Sequence, residues 1–329
     1  MKVAVTDYTF DSLDVERAIL EPMGCEVVGP YAKDQPDSLL VLVSDADCVI
    51  TQFAPVDARV IGSMGRARAI VRYGIGVDNV DLDAARGRGI PVCNVPDYCI
   101  DEVADHTLGL MLALTRRLIA HRDRVRSGRW GSGAPLESLH ALKSRTVGLV
   151  GFGRIGRAVA ERLRAFRCMT IAFDPMVPDR EIERTGCLPV TFDQLLEMAD
   201  IVSLHCPSNP QTRRMIGSDA LAKLKPGALF INVARGDLVD PAALIGALQS
   251  GHLGGAGLDV WDPEPIEPES PLLAMDNVIV TPHVASASVP AVAKLRTSAA
   301  ETAARALRGE PLPNVVNGVG TQVDVRKDS

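Results

Sequence analysis

The chain has little of several features that mark particular protein classes. Aromatic residues are only 4% of its 329 residues, its seven cysteines include no CxxC pair, and no run of Lys or Arg forms a basic block. Without paired cysteines, a disulfide framework and a zinc site are both disfavoured, and we expect no metal. A net charge of −6 without a basic patch argues against nucleic acid or an anionic membrane as partner.

Long hydrophobic runs are also absent. The most apolar helical stretch, residues 108–114, is followed by Arg116 and Arg117. It is far shorter than the roughly 18–20 residues that cross a bilayer. Met1 and Lys2 lead directly into a strand-like run, without the apolar core of a secretory signal. We therefore expect a cytoplasmic protein with no membrane partner, whose cysteines are mostly small buried hydrophobes.

Short β-branched runs alternate with helical patterns along the chain. The predicted strands are 3–6, 26–28, 48–51, 69–71, 91–95, 146–150, 169–173, 201–205, 228–233, 257–260 and 278–281. Helices are predicted between them, for example at 12–23 and 81–88, and again at 290–308. This alternation is typical of parallel sheets covered by helices, and eleven strands are too many for one comfortable sheet. We therefore predict an α/β fold with two doubly wound parallel-sheet domains.

A boundary between the two series of strands is visible in the composition. Residues 101–120 are predicted as one long helix, because acidic residues favour its start and Arg116 and Arg117 favour its end. The following stretch, 122–144, is polar and rich in glycine, as expected of an arm or linker. The second series of strands begins directly after it.

A glycine-rich turn opens the second series. Gly151, Gly153 and Gly156 form a GxGxxG pattern that follows the strand at 146–150 and begins an amphipathic helix. In this context the glycines allow a tight turn, close approach of a pyrophosphate and close packing of helix on strand. Asp174, eighteen residues after Gly156, is placed to accept hydrogen bonds from ribose hydroxyls, which favours NAD over NADP. The alternative is a glycine-rich turn without a ligand.

Three polar residues follow later predicted strands. Arg235 and His283 come just after two strands, and Glu264 follows a third, so all three can face one cleft at the carboxyl ends of a sheet. Arg235 can hold a carboxylate, His283 can move a proton, and Glu264 can orient the imidazole. Each also has a plain structural interpretation, as a surface arginine, a solvated acid or a structural histidine. His205 is a candidate for a structural or cofactor-lining role.

The three motifs around these residues, together with the glycine-rich turn, resemble the D-isomer-specific 2-hydroxyacid dehydrogenases. The similarity covers about residues 40–315 and includes the segments 72–81, 89–96 and 311–317. It implies a Rossmann NAD-binding domain at 101–287, inserted into a flavodoxin-like substrate domain formed by 1–100 and 288–329. It also implies a homodimer in which an arm at about 121–145 crosses between subunits.

The resemblance assigns functions to individual positions. Arg235, Glu264 and His283 correspond to the catalytic Arg, Glu and His of the family. The positions that correspond to cofactor contacts are Thr107, Gly151, Gly153, Arg154, Ile155, Gly156, Asp174, Cys206, Pro207, Thr212, Ala234, Asp259 and Ala285. The positions that correspond to substrate contacts are Arg72, Gly74, Ile75, Gly76 and Tyr98, with the amides of 74–76 holding the substrate carboxylate.

The resemblance is compatible with more than one substrate and more than one branch of the family. The resemblance implies an NAD-dependent enzyme acting on a small 2-hydroxy or 2-keto acid. Phosphoglycerate dehydrogenases are similar around Arg72, but a second arginine of theirs corresponds to Thr51. Formate dehydrogenases carry Gln where Glu264 stands. The stretch 90–112 also resembles the C-terminal binding proteins, so an NAD-sensing protein with little turnover is the alternative.

Overall fold

The computed structural model describes residues 1–32, 35 and 37–320. The chain divides into two compact units. The first comprises Met1–Tyr98 and the chain from Ser288 onward, and the second comprises Cys99–Ala287. The last nine residues of the predicted return segment, 321–329, lie outside the described residues.

The first unit is a five-stranded parallel sheet covered by helices. Its strands are β1 (Lys2–Val5), β2 (Glu26–Val28), β3 (Cys48–Thr51), β4 (Ile70–Arg72) and β5 (Val92–Cys93). Its helices are α1 (Asp14–Leu20), α2 (Asp37–Ser44), α3 (Ala58–Ser63), α4 (Leu82–Gly87) and, from the return segment, the 20-residue α12 (Val289–Arg308). The strand order β2-β1-β3-β4-β5 is that of flavodoxin-like folds.

The first sheet is buried on both faces. Val3 and Val5 of β1 pack in one apolar cluster with Leu295 and Ala299 of α12, whereas Ala4 between them packs in a second cluster on the other face. Successive side chains of a strand point to opposite faces, so a strand that is apolar at every position must be covered on both sides. Polar side chains are therefore left to the ends of the strands, where the candidate site residues lie.

The second unit is a seven-stranded parallel sheet. Its strands are β6 (Thr146–Val150), β7 (Met169–Phe173), β8 (Leu188–Pro189), β9 (Ile201–Leu204), β10 (Ala228–Asn232), β11 (Leu253–Leu258) and β12 (Val278–Val280). Its helices are α5 (Ile100–Thr115), α6 (Leu118–Arg126), α7 (Arg154–Phe166), α8 (Asp179–Glu183), α9 (Phe192–Met198), α10 (Ser218–Lys223) and α11 (Pro241–Gln249). The order β12-β11-β10-β9-β6-β7-β8 contains the doubly wound arrangement of dinucleotide-binding folds, in which the order reverses beside the first strand. The predicted fold class, two parallel-sheet α/β domains, is confirmed.

The structure differs from the prediction at residues 101–120 and 257–260, and it adds one short strand. The predicted helix at 101–120 is two helices, because Arg117 adopts a left-handed conformation with φ of 49° and its guanidinium donates to the Gly254 carbonyl. The two-residue strand β8 was not predicted. The predicted strand at 257–260 is β11, which lies four residues earlier at its start and includes three glycines.

The described residues contain no helix that is long and apolar enough to cross a membrane. All seven cysteines are free, and five of them are buried.

Candidate active site

The glycine-rich turn is shaped by close backbone contacts. A Cβ atom at Gly151 would lie 2.6 Å from the backbone of His205 and Cys206, and one at Gly156 would lie 2.3 Å from the Gly151 carbonyl oxygen. At Gly153, by contrast, a Cβ would meet nothing within 4 Å. The first and third glycines are thus required by packing, while the second leaves open space above the turn. This is the cradle that a pyrophosphate needs.

The start of α7 adds positive potential to this open space. Gly153 is the N-cap of the 13-residue helix and offers no side chain to its first N–H groups. Unsatisfied N–H groups and the helix dipole make such an end favourable for an anion. Asp174, at the end of β7, accepts hydrogen bonds from the N–H groups of Phe152 (2.7 Å) and Met176 (2.8 Å). These residues of the chain therefore fit a dinucleotide.

Arg235, Glu264 and His283 follow three neighbouring strands. They come after β10, β11 and β12, which are adjacent in the sheet and parallel. Because parallel strands end at one edge, the three predicted residues share that edge. The structure brings two of them into direct contact. His283 Nδ1 lies 2.9 Å from Glu264 Oε2.

The Glu264–His283 contact fixes the position of one hydrogen on the ring. A carboxylate only accepts hydrogen bonds, so His283 must carry a hydrogen on Nδ1, and Nε2 is the ring nitrogen that Glu264 does not contact. The other Glu264 oxygen, Oε1, accepts from the Trp261 N–H at 3.0 Å. Burial is the largest single influence on Glu264 and raises its pKa. The His283 hydrogen bond and charge, the Trp261 N–H and the Arg235 charge together outweigh it and lower the pKa below its ordinary value.

Arg235 is held near Glu264 by backbone packing. A Cβ at the next residue, Gly236, would lie 1.7 Å from the Trp261 carbonyl oxygen, so the segment that carries Arg235 and the segment that carries Glu264 touch backbone to backbone. Asn232, at the end of β10, donates its side-chain amide to the Arg235 carbonyl at 2.8 Å. The Arg235 guanidinium donates to the Ala234 carbonyl at 2.7 Å.

The turn that carries His283 is clasped by Asp259. His283 has a left-handed conformation with φ of 53°, which is uncommon for a residue other than glycine. Its N–H donates to the Asp259 carbonyl at 2.7 Å, and the Asp259 carboxylate accepts the N–H groups of Val284 and Ala285, both at 2.9 Å. Asp259 is 1% exposed. The conformation of the histidine turn is thus imposed by a buried aspartate directly after the neighbouring strand β11.

The other predicted cofactor positions differ in accessibility. Thr107 is fully buried, and its hydroxyl donates to the Val103 carbonyl. Cys206 is half-buried after β9, and burial raises its pKa to about 11. Thr212 donates to the carbonyl of Pro207, which is exposed. Arg154 and Ile155 are the first two residues of α7, directly after the turn. Ala234 precedes Arg235.

His205 lies beneath the glycine-rich turn. Its Nε2 is 2.9 Å from the Ser203 hydroxyl, and its Nδ1 is buried without a hydrogen-bond partner among the described residues. Burial lowers the pKa of His205 to about 4, so the ring is neutral at physiological pH. The contacts are those of a structural or cofactor-lining residue.

The predicted substrate residues belong to the first unit. Arg72, at the end of β4, is 7% exposed, and its guanidinium packs against Gly74 and lies 5.9 Å from the Phe53 ring. The Gly74 N–H donates to the Arg72 carbonyl at 2.9 Å. In the described part of the chain, the N–H groups of Ile75 and Gly76 have no acceptor. Tyr98 is half-buried against the core of its unit.

One residue near the site was missed. His106, which is not among the residues predicted from the sequence, lies on α5 with its Nε2 3.1 Å from the Thr281 hydroxyl, and that hydroxyl donates to Asp259 at 2.6 Å. The available signal was its spacing of four and eight residues from Leu110 and Leu114 on one helix face. Within the described residues, no group of three or more His, Cys, Asp or Glu side chains could hold a metal ion.

Comparison with known proteins places these features in context. Residues 108–285 match the family model "D-isomer specific 2-hydroxyacid dehydrogenase, NAD binding domain". The chain is 40% identical over 294 residues to D-3-phosphoglycerate dehydrogenase of Mycobacterium leprae, covering 88% of this chain but only 55% of that protein. It is 38% identical over 309 residues to glyoxylate reductase of Thermofilum pendens, covering 89% of this chain and 88% of the relative.

A solved structure shows the same architecture. The crystal structure of D-lactate dehydrogenase from Aquifex aeolicus, complexed with NAD and lactic acid, superposes with a TM-score of 0.85 at 27% identity. The match covers 94% of this chain and 96% of that one.

Proposed function

Because the chain belongs to the D-isomer-specific 2-hydroxyacid dehydrogenase family, we propose that it is an NAD-dependent oxidoreductase acting on the CH–OH group of a small 2-hydroxy acid, or on the matching 2-keto acid. The observation that carries the proposal is the 2.9 Å contact between His283 and Glu264. These residues follow β12 and β11, and β11 in turn adjoins β10, the strand that Arg235 follows. The same unit contains a glycine-rich turn that fits a dinucleotide.

The three residues have complementary roles in the proposed reaction. Arg235 holds the substrate carboxylate through its planar set of donors. His283 donates the proton on Nε2 to the carbonyl oxygen during reduction and takes it back during oxidation. Glu264 accepts from Nδ1, which keeps the ring oriented. Bound NADH supplies the hydride to the carbonyl carbon.

The chain's own residues would hold the cofactor at several points. We propose that the turn Gly151–Gly156, with Arg154 and Ile155 at the start of α7, receives the pyrophosphate. Asp174 would accept the ribose hydroxyls with the lone pairs that Phe152 and Met176 leave available. The remaining cofactor contacts are proposed at Thr107, Cys206, Pro207, Thr212, Ala234, Asp259 and Ala285.

In the first unit we propose that the loop after β4 binds the substrate carboxylate. Since the Gly74 N–H is used within the loop, the amides of Ile75 and Gly76 are the donors that remain for it. Arg72 and Tyr98 are proposed as further substrate residues. The glyoxylate reductase relative, 88% of which this chain covers, is consistent with a substrate without a phosphate. Thr51 ends β3 beside Arg72 of β4, and it is uncharged where phosphoglycerate dehydrogenases carry a second arginine.

Turnover of NADH with a panel of small 2-keto acids tests the proposal. We expect measurable reduction of at least one of glyoxylate, pyruvate and hydroxypyruvate. The products of pyruvate and hydroxypyruvate should have D stereochemistry, whereas the product of glyoxylate is achiral. His283→Ala should lower kcat about 10²–10⁴-fold and leave the NADH dissociation constant within about twofold. NADH binding with no turnover on any acid would favour the NAD-sensing alternative instead.

We also propose a cytoplasmic homodimer. The support is the exposed apolar surface of the arm: α6 has no buried residue, and Trp130 and Leu136 beyond it are 89% and 81% exposed. Exposed apolar surface of this kind indicates a protein interface. A dimer should be seen by light scattering, and Trp130→Ser with Leu136→Ser should weaken it. A monomeric wild type at micromolar concentration would refute the homodimer.

The cysteines support the proposed cytoplasmic location, because seven free cysteines are typical of a reducing compartment.

A further inference from the structure

His106, Thr281 and Asp259 form a directional chain of hydrogen bonds that ends on the turn of His283. The Asp259 carboxylate only accepts hydrogen bonds, so Thr281 must give it its single hydroxyl proton across 2.6 Å. The Thr281 oxygen then has only acceptor capacity for His106 Nε2, at 3.1 Å. His106 must therefore carry a hydrogen on Nε2 and donate it.

Helix packing explains why His106 reaches this position. His106, Leu110 and Leu114 lie four residues apart on one face of α5. A Cβ at Gly257 would lie 3.1 Å from Leu110, and one at Gly255 would lie 3.3 Å from Leu114.

The two glycines thus let α5 run closely along β11 in the opposite direction. His106 is one helical turn before Leu110 and therefore lies beside Asp259, two residues after Gly257. A carboxylate oxygen of Asp259 is 3.9 Å from His106 Nε2. The contact is therefore a consequence of how the helix and strand pack.

These hydrogen bonds act on the turn of His283, whose backbone conformation is uncommon for a residue other than glycine. His283 holds its left-handed conformation because Asp259 receives three N–H groups of residues 283–285. Thr281 donates a further hydrogen bond to the Asp259 carboxylate and is the residue directly after β12. A side chain that orders Thr281 also orders the carboxylate that clasps the turn.

We infer that His106 is a positioning residue, which fixes the His283 turn through Thr281 and Asp259. The inference rests on the proposed function, since it assigns His106 a role in the reaction of His283. His106 does not touch the reacting groups itself. It determines how constantly His283 Nε2 is presented to a substrate carbonyl.

Two variants and a matched control test this role. His106→Leu removes the donor, whereas His106→Gln places an amide N–H near the former Nε2 position. His252, whose Nε2 lies 2.9 Å from the Leu221 carbonyl, is a hydrogen-bonded histidine of the same unit outside the site. His252→Leu therefore controls for loss of an ordinary histidine hydrogen bond.

The measurements are kcat and KM with the best 2-keto acid, and amide hydrogen exchange of residues 283–285. We expect His106→Leu to lower kcat about 3- to 10-fold, as for one lost hydrogen bond, with KM for the acid within about twofold. Exchange at 283–285 should accelerate by a similar factor. His106→Gln should restore both values, and His252→Leu should change neither.

Several outcomes would overturn the inference. Unchanged exchange at 283–285 in His106→Leu would show that the clasp does not depend on this histidine. Faster exchange with unchanged kcat would show that the clasp does not serve catalysis, and failure of Gln to rescue would exclude the donor role. If the wild type reduces no 2-keto acid, the proposed function fails, and with it the catalytic role of His106, whereas the exchange data still decide whether His106 holds the turn.

Discussion

Gly236 is a point at which one added carbon atom would push two backbone segments of the proposed active site apart. In Gly236→Ala the new Cβ would lie 1.7 Å from the Trp261 carbonyl oxygen, 1.9 Å from its carbon and 2.6 Å from the Asp262 nitrogen. Real Cβ atoms stay beyond 3.0 Å, so the two backbones must separate by at least about 1.3 Å. Neither partner is a flexible side chain that could turn away.

This separation acts directly on the proposed catalytic residues. Arg235 precedes Gly236, and the Trp261 N–H donates to Glu264 Oε1 at 3.0 Å. A displacement of about 1 Å between groups that must act together costs on the order of 10²-fold in rate. We therefore expect kcat/KM of Gly236→Ala to fall about 100-fold. The NADH dissociation constant should change much less, because the glycine-rich turn and Asp174 follow β6 and β7, which β9 separates from β10.

Gly246→Ala is the matched control for this variant. Gly246 lies inside α11, and a Cβ there would meet nothing within 4 Å. We expect wild-type kcat/KM and a stability gain of about 0.5–1 kcal/mol, as for Gly to Ala in a helix. Steady-state kinetics, fluorescence titration with NADH and thermal melts are the assays. A Gly236→Ala enzyme that binds NADH and keeps kcat/KM within threefold of wild type would refute the reasoning.

Three further predictions concern single side chains. Glu264→Gln keeps an acceptor for His283 but removes its charge, so kcat should fall about tenfold, since a charge-assisted bond is about twice as strong as a neutral one; steady-state kinetics at pH 7 check this, and an unchanged kcat would contradict it. Asp174→Ser removes the acceptor of the Phe152 N–H and the proposed ribose acceptor, so KM for NADH should rise about tenfold or more and NADPH should become a better relative substrate. Burial lowers the pKa of His205 to about 4 from an ordinary 6.5, so the folded state favours the neutral ring. Neutral His205 contributes its full stabilisation above pH 6.5, and this stabilisation is lost as pH falls towards 4, because the unfolded chain takes up the proton first. His205→Gln should therefore flatten the decline of Tm with falling pH over this interval, as measured by thermal melts.

Local signals in the sequence were sufficient for the fold class. Two series of β-branched runs, separated by amphipathic helices, predicted two parallel sheets, because a strand buried on both faces must be apolar throughout. The glycine-rich turn, Arg235, Glu264 and His283 each follow a predicted strand. The sequence therefore predicted that they lie at the ends of strands, and in the structure these strands belong to one sheet. Their proposed roles in the reaction remain predictions.

Packing between elements decided what the sequence did not. The strand β11 carries Gly254, Gly255 and Gly257, which have low β-propensity, and its predicted position was therefore displaced towards the C-terminus. In the structure the missing side chains at 255 and 257 give room to α5. The β-propensity of a segment depends only on its own residues, so it does not show that the space beside these glycines is occupied by α5, which is distant in sequence.

The same packing determined which histidines have partners near the site. The contact of His283 with Glu264 was expected from neighbouring strands, whereas His106 is 175 residues from Thr281 along the chain and has no motif of its own. Its contact follows only from how α5 lies against β11. The left-handed turn at His283 is likewise set by the buried Asp259 carboxylate rather than by the turn's own residues. The sequence alone thus determined which chemical groups stand at the ends of the strands, and tertiary packing decided which of them touch, because hydrogen bonds between distant segments depend on the spacing of whole elements.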